Sequence, residues 1–123
     1  MNSLQTESRP PVSRMTLTRA DARDVLKEAL AAAAGRLTVD DKDAQDFLKK
    51  TARAHERSLE SLLKAFIGGR IDEETFRSEL ADERRVFRAA LVAAESLSPK
   101  GAKDASNAFF GSVEATLREG GLA

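Results

Sequence analysis

The chain has 123 residues, of which 41% are apolar, 33% charged and 5% aromatic, and its 20 basic and 20 acidic residues give a formal net charge of zero. This length fits one domain with a modest core. Nucleic acid is not expected as a partner, because duplex-binding domains concentrate positive charge on one face, whereas this chain offers only a local basic patch at Arg84, Arg85 and Arg88. The absence of cysteine excludes disulfides, thiolate metal sites and thiol catalysis.

The N-terminal segment 1–17 is predicted to be a disordered arm, because it has two adjacent prolines and no apolar periodicity. It also lacks the apolar centre of a signal peptide. No stretch of the chain approaches the roughly 20 apolar residues of a membrane span. We therefore expect no membrane partner, a cytoplasmic location, a single helical domain over 18–119 and a short tail over 120–123.

The first helix is predicted to begin at Thr18, and its apolar stripe includes a run of alanines at 31–34. Alanines contribute little buried area, but they allow a second helix to approach closely. The second helix is predicted to end at Ile67 and to use Thr38 or Asp40 as its N-cap. Its length of about 40 Å follows from the rise of 1.5 Å per residue.

The second and third helices are expected to form a hairpin about the glycines at 68–69. The third helix is predicted to start from its N-cap Asp72 and to continue to about Leu97. Folding the chain at the glycines pairs apolar positions on the two arms: Leu63 with Phe76, Leu59 with Leu80, Ala52 with Phe87, and Leu48 with Leu91. One layer differs, since His55 falls level with Glu83. The mirrored stripes predict antiparallel helices packed along their length.

A fourth helix is predicted after Ser98, with Pro99 in its first turn; Asp104 or Ser106 are the alternative starts. Its apolar stripe consists of Ala102, Ala105, Phe109, Phe110, Val113 and Leu117. Short connections favour antiparallel neighbours. The sequence therefore predicts an all-α antiparallel bundle of four helices built on the long central hairpin.

His55 is the single histidine of the chain, and its favoured interpretation is structural. A polar layer inside an apolar seam commonly fixes the alignment of two helices. We expect His55 to bond Glu83 or to be capped by Arg84 in such a layer. A second hypothesis is a pH-dependent switch, because histidine is the side chain that changes charge near neutral pH.

His55 and Glu83 are also the candidates for a metal site. Di-iron bundles use a Glu-x-x-His sequence, which is missing here because position 52 is Ala. One histidine and one glutamate are too few for a closed site, although a dimer would double them at its symmetry axis. We therefore expect no metal and no other cofactor.

The stretch from His55 to Leu59 resembles the His-Glu-Leu-Arg run of sensor-kinase dimerisation helices, and this resemblance implies a phosphotransfer histidine. The Thr-Pro-Leu that follows in those helices is absent here. A phosphorylated histidine must also reach solvent, whereas the helical pattern places His55 on the inner stripe. The turn from Gly69 to Phe76 is similar to hairpin turns of many unrelated bacterial helical proteins and identifies no family.

The sequence has no phosphate-binding glycine loop and no hydrolase triad, so we do not expect an enzyme. We expect a non-catalytic helical protein-protein interaction or regulatory module that binds a protein partner, including itself, most simply as a homodimer. The residues predicted to line its interface are Ala29, Ala33, Phe66, Ile67, Phe109 and Phe110. The alternative is a metal-binding or histidine-phosphotransfer bundle centred on His55 and Glu83.

Overall fold

The computed structural model describes residues 19–38 and 41–119; the predictions for 1–17 and 120–123 fall on residues outside these ranges. Its helices are α1 (Arg19–Ala34), α2 (Lys42–Ile67), α3 (Glu73–Ala93) and α4 (Pro99–Glu119). Each helix packs against its neighbours along the chain, and α1 also packs against α4. The fold is therefore an all-α four-helix bundle, as predicted. None of these helices combines the length and apolar character that crossing a membrane requires.

The core is formed by the apolar stripes that the sequence predicts. Both arms of the hairpin bury their paired positions: Leu48, Ala52, Leu59, Leu63, Phe76, Leu80, Phe87 and Leu91. The whole predicted stripe of α4 is buried as well. Phe87 of α3 lies at the centre, with its ring centroid 4.8 Å from that of Phe109 and 5.4 Å from that of Phe110. This aromatic cluster joins the hairpin to α4.

The hairpin turn at Gly68 and Gly69 is a Schellman motif, in which backbone amides bond the last free carbonyls of a helix. The amide of Arg70 donates to the carbonyl of Ala65 at 2.8 Å, and the amide of Gly69 donates to the carbonyl of Phe66 at 3.1 Å. Gly69 has φ 77°, a left-handed conformation that costs glycine little because it has no Cβ. The predicted pivot is confirmed.

The start of α3 is held by its N-cap, Asp72, whose carboxylate accepts a 2.8 Å hydrogen bond from the amide of Thr75. Hydrogen bonds from the backbone and then the side chain of Thr75 lower the pKa of Asp72. Beside the turn, the rings of Phe66 and Phe76 stack at 4.3 Å and 12°. The turn is therefore fixed both by its caps and by aromatic packing.

The break between α3 and α4 comes earlier than predicted. α3 ends at Ala93 rather than at about Leu97, because Glu95 has φ 63° and a left-handed residue cannot continue the helix. Leu97 is nevertheless buried in the connection. α4 begins at Pro99, and the Ser98 hydroxyl accepts a 3.0 Å hydrogen bond from an amide of the first turn.

The N-cap of α2 also differs from the prediction. Asp41 has this position, and its carboxylate accepts a 3.0 Å hydrogen bond from the amide of Ala44. The sequence predicts Thr38 or Asp40 as this cap; Thr38 lies before the helix, and Asp40 is outside the described residues. The kind of cap is the predicted one, since a short acidic side chain accepts a hydrogen bond from the backbone amide three residues later in the chain.

Candidate functional site

The predicted polar layer is present in the seam between α2 and α3. The Nδ1 atom of His55 lies 3.1 Å from Oε1 of Glu83, and the hydroxyl of Ser58 donates to Oε2 of the same carboxylate at 2.5 Å. A carboxylate only accepts, so Nδ1 carries the hydrogen in the first bond. Glu83 thus accepts hydrogen bonds from two α2 residues one turn apart, His55 and Ser58. The bond to His55 is the predicted one, whereas the bond from Ser58 was not predicted.

The layer is half-buried rather than sealed. The exposed fraction of the side chain is 15% for His55 and 22% for Glu83. On the inner side, the ring of His55 contacts that of Phe87, with centroids 5.5 Å apart and planes tilted by 55°. The layer therefore links the polar edge of the seam to the aromatic cluster. A shift in the register of α2 against α3 would break both the hydrogen bonds to Glu83 and the ring contact of His55 with Phe87.

The chemistry available to this layer is narrow. Its two candidate metal ligands are His55 and Glu83, and within 19–38 and 41–119 no group of three or more His, Asp or Glu side chains could hold a metal ion. Ser58 donates to the Glu83 carboxylate rather than to the His55 imidazole, so these side chains do not form the Ser–His pair of a hydrolase triad. The contacts observed in the layer are hydrogen bonds that join α2 to α3.

The six residues predicted to line an interface lie in the core of the monomer instead: Ala29, Ala33, Phe66, Ile67, Phe109 and Phe110, each at most 8% exposed. Two packing contacts explain this correction. α4 packs on α1 and covers its alanine stripe. Phe66 stacks on Phe76, while Phe109 and Phe110 pack on Phe87. All six side chains therefore belong to the core of the bundle.

A groove of about 250 Å³ lies between α1 and α2 and is called here the α1/α2 groove. Its floor is apolar and is formed by Leu26, Leu30, Ala52, Leu59 and Phe109. Its rim is charged and is formed by Arg23, Lys27, Lys49, Arg53 and Glu56. Because Leu30 is only partly buried, the groove leaves part of its apolar floor accessible.

The basic rim residues form two short rows. Arg23 and Lys27 lie one turn apart on α1, while Lys49 and Arg53 lie one turn apart on α2, and all four are exposed. Residues four apart on a helix share one face. Glu60 reduces the charge of the first row, since its carboxylate lies 3.4 Å from Nε of Arg23. The rim keeps an excess of positive charge.

Sequence reasoning missed this groove, although one signal was readable. The spacing of four between Arg23 and Lys27, and between Lys49 and Arg53, already placed each pair on one helical face. The missing information was which faces of α1 and α2 meet, because that depends on how α1 also packs against α4.

Comparisons of the chain with models of protein families, with curated proteins and with solved structures found no match.

Proposed function

We propose that this chain is a non-catalytic helical protein-binding module that receives an acidic amphipathic helix in the α1/α2 groove. The observation that carries the proposal is the partly exposed Leu30, which adjoins an otherwise buried apolar floor between two rows of basic side chains. An amphipathic helix places apolar anchors along one face, and such a face commonly lies in a groove between helices. Acidic residues beside those anchors would face the basic rows on both rims.

The floor and the rim have different roles in this proposal. The apolar floor supplies most of the affinity, because burial of apolar area stabilises a complex by roughly 25 cal/mol per Å². Exposed ion pairs are worth only about 0 to 1 kcal/mol each. The basic rows instead select an acidic partner and speed its association, so the rate should fall with added salt.

Self-association in the cytoplasm remains part of the proposal. Its candidate anchors are two exposed side chains of α3, Val86 at 57% and Val92 at 40% exposure, which lie six residues apart and therefore on different sides of the helix. They are the large hydrophobic side chains that the described part of the chain exposes. Sedimentation equilibrium over a range of protein concentrations measures this association. No contact of His55 or Glu83 favours the alternative of a metal-binding or phosphotransfer bundle.

A designed peptide tests the groove directly. The probe is a helical peptide with leucines on one face and glutamates beside them, titrated into isotopically labelled protein while amide shifts are recorded. We expect shifts to concentrate on the facing sides of α1 and α2. The same peptide with lysines in place of glutamates should bind much more weakly, because its charges oppose the basic rows.

Two matched pairs of variants distinguish an effect of the groove itself from an effect of the protein's overall charge or apolar content. Lys27→Glu with Arg53→Glu reverses two rim charges, whereas Lys42→Glu with Arg57→Glu makes the same charge change outside the groove. The first pair should abolish most of the binding and the second should not.

On the floor, Leu30→Ala should weaken binding more than Leu62→Ala, because Leu62 is a partly buried leucine outside the groove. Equal effects within each pair would refute the proposal.

A further inference from the structure

A second concave surface lies on the other side of the bundle, between α3 and α4, and is called here the α3/α4 depression. Its volume is about 270 Å³, and its lining consists of Ala81, Arg84, Arg85, Arg88, Lys103 and Asn107. It shares no residue with the α1/α2 groove, and the inference drawn from it does not depend on the function proposed above.

Helix periodicity explains why these residues meet. Ala81, Arg84, Arg85 and Arg88 lie at positions i, i+3, i+4 and i+7 of α3, which is the spacing of one helical face. Lys103 and Asn107 lie one turn apart on α4. The short side chain of Ala81 leaves room at the floor, while the long basic side chains are exposed around it.

The charge of this depression departs from that of the chain as a whole. The chain has 20 basic and 20 acidic residues, yet four basic side chains and no acidic one line this surface. Basic residues one turn apart, such as Arg84 and Arg88, repel each other and destabilise a helix slightly. A cluster of this kind is unfavourable in the free protein and becomes favourable when an anion binds.

Nearby carboxylates compensate the cluster only in part. Asp82 forms a 2.8 Å ion pair with Arg85 at an exposed position. Asp104 pairs with Lys100 at 2.8 Å, a contact that is the main cause of its lowered pKa, with smaller effects from Arg36 and Lys103.

Two arginines of the depression remain available. With the residues that the structure describes, neither Arg84 nor Arg88 forms an ion pair. Arginine and lysine are the residues that bind phosphate, the first through a planar fork of donors that matches two oxygens at once. The amide of Asn107 adds donors at the α4 side.

We propose that the α3/α4 depression binds a small ligand bearing a di- or triphosphate group. Several basic side chains converge from two helices on one concave site, which fits a compact anion of high charge. An extended nucleic-acid backbone would need basic residues along a longer track. Beside the depression, the carboxylates of Asp82 and Asp104 interrupt the basic surface on α3 and α4.

Calorimetric titration of the full chain with inorganic tripolyphosphate tests this proposal, at an ionic strength of about 0.1 M, where the Debye length is about 10 Å. Arg84→Gln with Arg88→Gln should weaken binding by about tenfold or more, since each arginine supplies charge-assisted hydrogen bonds. The control is Arg57→Gln with Arg70→Gln, two exposed arginines that line neither the α1/α2 groove nor the α3/α4 depression. The control should stay within about twofold of wild type, because it removes the same charge at a distance.

Two further measurements make the outcome decisive. Arg84→Lys with Arg88→Lys keeps the charge but not the fork, so intermediate binding would support recognition by geometry. Amide shifts of the wild-type protein should concentrate at the facing sides of α3 and α4. The proposal is overturned if both glutamine pairs weaken binding equally, if the shifts lie elsewhere, or if single-stranded DNA of about 20 nucleotides binds more tightly through the same arginines.

Discussion

The α2–α3 seam and the α1–α4 seam of this bundle are built from different side chains. The first contains large apolar residues in matched pairs, a stacked pair of phenylalanines and one polar layer. The second is the most extensive helix contact of the fold, yet many of its buried positions are alanines at 0% exposure: Ala22, Ala29, Ala33, Ala102 and Ala105. The bundle thus combines a seam of matched large residues with helices α1 and α4, whose buried positions are alanines interspersed with branched residues such as Val25 and Val113.

This difference shows that alignment and close approach are separate requirements. A polar layer and large side chains allow one register, because any shift leaves polar groups unpaired and large groups without room. Small residues set a short distance between helices but distinguish registers poorly. At its edge the α1–α4 seam has one cross-link of its own, since the hydroxyl of Thr116 donates to Glu28 at 3.3 Å.

The largest expected effect comes from breaking the small-residue seam. Ala33→Leu adds volume at a position that is 0% exposed, and we expect a loss of about 1 to 3 kcal/mol in the free energy of unfolding. Ala31→Leu, on the exposed face of the same helix, should change it by less than about 0.5 kcal/mol. Urea denaturation followed by circular dichroism measures both. Equal losses would show that the buried alanine is not tightly packed.

The next effect comes from the polar layer. Glu83→Ala leaves the Nδ1 hydrogen of His55 and the hydroxyl of Ser58 without their acceptor, at an expected cost of about 1 to 2 kcal/mol. Glu79→Ala, an exposed glutamate one turn earlier, should cost far less.

The double variant His55→Leu with Glu83→Leu sharpens this test. It replaces both partners with apolar side chains, so it should be more stable than Glu83→Ala and close to wild type. If the double variant loses as much stability as the single variants His55→Leu and Glu83→Leu together, the two side chains are not coupled and the layer is not a satisfied pair. The same urea denaturation reports this result.

The smallest effect concerns the turn that aligns the hairpin. Because the pKa of Asp72 in the folded chain lies below its ordinary value of 3.8, its carboxylate stabilises the fold above that value and loses this contribution as the pH falls through the folded pKa. Asp72→Asn keeps an acceptor but does not titrate.

The difference in urea midpoint between wild type and Asp72→Asn should therefore shrink between about pH 6 and about pH 3. Asp72→Ala, which has no acceptor, should remain less stable than Asp72→Asn at both pH values. A constant difference between wild type and Asp72→Asn would mean that the charge of the cap has no role.

The hairpin and its polar layer were predictable from sequence for a physical reason. The two arms are joined by a short turn, so residue numbers alone fix which positions meet once the pivot at Gly69 is identified. His55 and Glu83 then fall level, and the structure has them 3.1 Å apart. The turn also supplied recognisable capping residues, of which Asp72 is one.

The α1–α4 pairing was not predictable in the same way. Its members lie far apart in the chain, as Glu28 and Thr116 show, and an alanine stripe does not reveal which helix covers it. The stripe was therefore expected to meet another copy, whereas α4 buries it. The α1/α2 groove was not predicted for the same reason. It depends on which side of α1 packs against α4 and which side packs against α2, and the sequence does not specify this.

The alanine-rich docking of α1 has a consequence for the dynamics of the bundle. α1 is a helix of 16 residues, and helices of this length are marginal when isolated in water, so its amides should exchange with solvent through detachment of the whole helix. Because α1 forms one wall of the groove, a ligand held there would bind only the docked state. A bound ligand would therefore slow amide exchange in α1. Once the ligand concentration exceeds the dissociation constant, the slowing should increase in proportion to that concentration.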